Sequence, residues 1–181
     1  DESAEPGAGD PYDVAVLVGE PRAGCEPDRD VLRWKQAQHP MALLRDTGEL
    51  RRIVEPEAAR ARPAEIRALS DAFAAMEDAA GGSGRGGYIE ADIAFHSALL
   101  DASGNRLLGS LGRAIDIALE HRFIVSTQTP GAAEASLPAH RAVVEAVAAG
   151  DPAAAAAAVL MIIEAAEQEI ATSPGLPQDH G

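Results

Sequence analysis

Asp92 and His96 lie four residues apart in "YIEADIAFHSALLDASGN", residues 88–105. At helical period they share one stripe with Ile89, Ile93 and Leu100, where a helix buries apolar side chains. His140 lies further along the chain, in line with Val143, Val144 and Val147, on another inward stripe. One carboxylate and two imidazoles converging inside a helical bundle make a divalent metal site, with open positions left for water or a ligand. Such a set suits zinc, nickel, manganese or iron. Spacing alone leaves a second reading open. An Asp/His pair at i,i+4 is also a common hydrogen bond on a helix, and a lone buried histidine is often a satisfied core residue. His39 precedes a proline, His121 sits on an uncertain face and His180 lies in the tail, so none of them joins the set.

Arg51 and Glu55 form another i,i+4 pair. Two roles are open to it. One is a solvated ion pair contributing a few tenths of a kcal/mol, roughly. The other is an arginine fork reaching inward to hold a carboxylate ligand. Nucleophilic catalysis finds little support: Cys25 has no histidine placed near it, and no serine sits in a nucleophile elbow. No glycine pattern leads to a phosphate-binding lysine.

The elements that must position these groups read as helices. The chain has 181 residues, the size of one domain. It is 46% hydrophobic but only 3% aromatic, so its core is small side chains in close-packed helices. The net charge of -14 argues against binding nucleic acid through the general surface. A single cysteine excludes an internal disulfide and a cysteine-based zinc site. No apolar run is long enough for a membrane span, and the acidic start lacks a signal-peptide layout. A cytoplasmic protein is expected.

Residues 1–27 read as an irregular acidic segment, residues 28–172 as a helical domain and residues 173–181 as a tail. A short helix, "DRDVLRWKQAQ", ends at Pro40. One helix is expected over 41–62, with a bend at Pro56, and another over 63–80 opened by Pro63. "GGSGRGG" at 81–87 reads as a flexible break. The helix carrying Asp92 and His96 follows and stops near "SGN". Next come "RLLGSLGRAIDIALEHRFIV" as a helix, "STQTPGAAEAS" as a loop, and "LPAHRAVVEAVAAG" as a helix ended by Gly150. Asp151 followed by Pro152 is a cap and first-turn pair that opens the last, alanine-rich helix. Short connections between amphipathic helices predict an all-α antiparallel bundle of six or seven helices.

Several stretches, in order, resemble one family. "YIEADIAFHSALLDASGNRLL", "DVLRW" with "LLRDTGELRRIVEPEAAR", and "HRAVVEAVAAGDPAAAAAAV" look like the effector-binding FCD domain of FadR-subfamily GntR transcription regulators. The likeness covers residues 28–172. It implies a helical bundle that binds a small organic acid in its core: a sugar acid, hydroxy or keto acid, dicarboxylate, amino acid or acyl-CoA. It also implies a homodimer, and DNA bound through a separate winged helix-turn-helix domain. Many members hold zinc or nickel through an aspartate and three histidines. The resemblance places Asp92, His96 and His140 at three of those ligands. Arg51 matches an arginine suited to an effector carboxylate. Asn105 matches an asparagine after the Ser-Gly turn, as an effector-binding candidate or a helix cap.

Three departures stand out. The family's third histidine falls at Ile162, which weakens the metal site. Residues 1–27 are too short and too acidic to be the DNA-binding domain. "EPEAARARPAEI" is shorter than the family's usual connection. Two other functions share these residues. One is a metal-dependent enzyme using Asp92, His96 and His140 as a triad. The other is a dimerisation module that antagonises full-length regulators.

Overall fold

The computed structural model describes residues 38–60, 66–83, 85–112, 115–116 and 131–172. Expectations for the segment 1–27, the short helix at 28–38, Cys25, His121, His180 and the tail fall largely or wholly outside these residues. The described residues are helical, with no strand among them. The helices are α1 (Pro40–Arg60), α2 (Ile66–Asp78), α3 (Arg85–Ala102), α4 (106–112), α5 (Ala132–Ala149) and α6 (Pro152–Thr172).

Pro40 opens α1, where its missing N–H costs nothing. Pro56 lies inside the same helix, as expected. α2 buries Leu69, Phe73 and Met76 at helical spacing. The glycine-rich break is shorter than the sequence predicts. Ala79–Ser83 form a π turn, kinked at Gly82, and α3 begins by Arg85. α5 also starts earlier than expected, at Ala132 rather than Leu137, and carries Pro138 within it. Pro138 is the seventh residue of α5, beyond the first turn, so it removes one intrahelical hydrogen bond.

The α5–α6 hairpin follows the sequence closely. Gly150 adopts a left-handed conformation, φ 67°, that a side chain disfavours, and its N–H returns to α5. Asp151 Oδ1 then accepts from the N–H groups of Ala153 and Ala154 at 3.1 and 3.0 Å, capping α6. α6 packs against α1 and α5, α2 packs against α3 and α5, and α1 also reaches α3. The core is built from Leu69, Met76, Phe95, Leu99, Val143, Val159 and Ile163, with alanines closing the spaces between helices. Arg52 on α1 bridges to Glu167 on α6 at 2.9 Å, a half-exposed pair that adds little stability.

Candidate metal centre

α1, α3 and α5 each deliver polar side chains to one buried place. Arg51, Glu55, Asp92, His96 and His140 are all at most 3% exposed, among a core that is otherwise apolar. Charges are kept inside a protein only with partners. The partners here are one another.

Asp92 and His96 share a face of α3, and His140 projects from α5 to meet them. His140 Nε2 lies 3.0 Å from Asp92 Oδ1, and His96 Nε2 lies 3.9 Å from Asp92 Oδ2. Ligand atoms from the three residues lie within 4.8 Å of one another. Phe95 packs beside the two imidazoles, edge-on to His96 at 5.6 Å and to His140 at 4.9 Å between ring centres, and the imidazoles meet each other edge-on at 5.7 Å. Its ring restricts how either histidine turns.

The second nitrogen of each imidazole decides what the first can do. His140 Nδ1 is 2.9 Å from the Ser136 carbonyl oxygen. A carbonyl only accepts, so Nδ1 carries the proton and, in a neutral ring, Nε2 holds a lone pair. That lone pair faces a carboxylate. His140 Nε2 makes no hydrogen bond, despite its closeness to Asp92. His96 repeats the pattern: Nδ1 lies 3.0 Å from Glu55 Oε2, which accepts its proton and leaves Nε2 on the Asp92 side. Two imidazoles held through Nδ1, with both Nε2 atoms aimed at one carboxylate, are what a metal with outer-shell support requires. The three residues fit a divalent cation. Burial lowers the His96 pKa and keeps the ring in its neutral, ligating form; Glu55 opposes this and Arg51 reinforces it.

Arg51 and Glu55 are not the solvated ion pair that their spacing allowed. The pair is buried. Arg51 Nε donates to Glu55 Oε1 at 2.6 Å, and Nη2 donates to Oε2 at 3.3 Å. Burial alone would raise the Glu55 pKa, but Arg51 and His96 outweigh it and hold the carboxylate at about 2. Arg51 Nη2 also lies 3.0 Å from His96 Nε2 and 3.3 Å from Nδ1.

Asn105 is exposed and does not join this group. Its Oδ1 accepts from Leu107 N–H at 3.0 Å and caps α4. Ile162 is buried on α6, 5% exposed. His39 is exposed. Two supporting groups escape sequence reasoning. Glu55 looks like half of a surface pair, and the Ser136 backbone carries no side-chain signal beyond lying four residues before His140.

Comparison with known proteins identifies the family. The FCD domain model matches residues 46–165, and the chain belongs to that family. Among solved structures, it is similar to a GntR protein of Streptococcus agalactiae, with 28% identity, a TM-score of 0.62 and 77% of this chain covered. The match spans 64% of the length of that protein. No curated protein matches the chain.

Proposed function

We propose that this chain is the effector-sensing domain of a GntR-type transcription regulator, and that it binds a small organic acid in the bundle core. The observation that carries this reading is the pair of imidazoles, each held through Nδ1, whose Nε2 atoms converge on Asp92. Asp92, His96 and His140 would hold zinc or nickel, which supplies a positive anchor for an oxygen of the effector. Glu55 and the Ser136 carbonyl set the tautomers. Arg51 supplies a planar fork matched to a carboxylate. The sensing unit spans residues 28–172 and works as a homodimer in the cytoplasm. It reaches DNA through a winged helix-turn-helix domain outside these helices. An effector that binds one arrangement of the bundle better shifts the dimer toward it and changes DNA affinity.

Among the described residues, no helix is long and apolar enough to cross a membrane. Among the described residues, the remaining buried acid beside the triad is Glu55, and Arg51 and His96 engage it. The family match favours sensing over catalysis.

Elemental mass spectrometry on tag-free protein, wild type beside His96→Ala, tests the metal. A near-stoichiometric metal that falls away in the variant supports the site. A wild type that takes up neither zinc nor nickel on incubation overturns it. Calorimetric titration of the loaded protein with small carboxylates then tests sensing.

A further inference from the structure

Among the described residues Arg51 is the only buried arginine or lysine. Its Nη2 lies about 3 Å from both ring nitrogens of His96, at 3.0 Å from Nε2 and 3.3 Å from Nδ1. An atom in the ring plane at those distances would collide with the Cε1 carbon between the nitrogens. The guanidinium therefore lies over the face of the imidazole. Glu55 holds it there with two hydrogen bonds, at 2.6 and 3.3 Å.

A fixed positive charge thus stands 3.0 Å from the nitrogen that the metal reading requires as a ligand. Metal–imidazole bonds are about 2.1 Å long. A divalent ion on Nε2 would sit within a few ångströms of the guanidinium, in a place shielded from water, where like charges repel most. The same guanidinium is the group in this pocket best shaped to pair with an incoming carboxylate. Moving it onto such a ligand takes it off His96.

We propose that Arg51 guards the metal position: its guanidinium competes with a divalent metal for His96, and a small carboxylate that draws Arg51 away raises the metal affinity. Metal and carboxylate then bind with positive coupling, each strengthening the other by the same factor. This rests on the metal site proposed above.

Zinc titration against a chromogenic chelator tests it, on wild type and on the double variant Arg51→Met with Glu55→Gln. The double variant removes one charge of each sign, so net charge does not change, and the amide oxygen introduced at position 55 can still accept from His96 Nδ1. Arg51→Gln with Glu55→Gln keeps a hydrogen bond across the pair and serves if the first variant does not fold. The double variant is expected to bind zinc about tenfold more tightly than wild type. Acetate is expected to tighten zinc binding in wild type and to have no such effect in the double variant. Double variants that bind zinc no more tightly than wild type overturn the proposal, as does equal tightening by acetate in both proteins. Zinc binding by wild type that is lost in His96→Ala but unchanged in the double variant sinks the guarding role alone. Failure of every protein to bind zinc sinks the metal site with it.

Discussion

His140 Nε2 and Asp92 Oδ1 stand 3.0 Å apart with no hydrogen bond between them. The Ser136 carbonyl takes the Nδ1 proton, so a neutral His140 turns a lone pair toward a carboxylate. Two acceptors at that distance repel in a site with little solvent. A cation between them converts the repulsion into two bonds. For a neutral His140 the arrangement is costly with no cation there and favourable with one, and a proton on Nε2 is the alternative to a metal.

Removing one imidazole should weaken this site. His140→Ala is expected to lower zinc affinity by about tenfold to a hundredfold, or more. The reverse change tests the family-based placement of position 162. Ile162→His should raise zinc affinity over wild type by about tenfold, while lowering the stability of zinc-free protein by about 1–3 kcal/mol through a buried polar group. Chelator competition and denaturant melts with and without zinc measure both. An unchanged zinc affinity in Ile162→His would show that position 162 does not face the site.

Acid should unfold the domain through the buried pair. The Glu55 pKa falls from 4.5 to about 2 on folding, so its contribution is present above the unfolded value and is lost as pH drops toward 2. The His96 pKa is also lowered, from 6.5, so folding favours the neutral ring and this contribution too is lost in acid. Glu55→Gln should therefore be less stable than wild type at neutral pH, and its stability should fall less steeply between pH 4.5 and 2. Urea midpoints across that range, in metal-free buffer, decide it. Parallel curves for the two proteins would show that Glu55 is not held ionised by its partners.

Phe95 is fully buried and packs edge-on to both histidines. Phe95→Ala should destabilise the domain by about 3–5 kcal/mol through lost burial and a cavity. Phe95→Leu should cost less and keep the fold, but free the imidazoles to turn. It should weaken zinc binding out of proportion to its effect on stability. Zinc affinity equal to wild type in folded Phe95→Leu would rule out a positioning role for the ring.

Two exposed caps separate structure from function. Asn105→Ala and Asp151→Ala each remove an acceptor for first-turn N–H groups, of α4 and α6 respectively. Each should cost about 1 kcal/mol. Neither should change metal or carboxylate affinity, because neither side chain reaches the buried cluster. A loss of carboxylate binding in folded Asn105→Ala would instead assign Asn105 to the effector.

Local chemistry was legible in the sequence. Helix periods, the Asp151–Pro152 opening of α6, the glycine stop at Gly150 and the shared stripe of Asp92 and His96 depend on residues a few positions apart. Their physics is complete within one or two turns. The inward position of His140 was readable for the same reason. The two misplaced boundaries, at the glycine-rich break and at the start of α5, are places where neighbouring helices extend order past weak local signals: a run of glycines in one case and Pro138 in the other. Tertiary structure alone decided what the polar residues do. Arg51 and Glu55 have the spacing of a solvated ion pair, and only the packing of α1 against α3 buries them beside His96. The direction of each imidazole is likewise set by a partner that no spacing rule marks, Glu55 from another helix and the Ser136 carbonyl from the backbone. Sequence places candidate ligands on a face, but which lone pair points inward depends on what the other nitrogen meets across the fold.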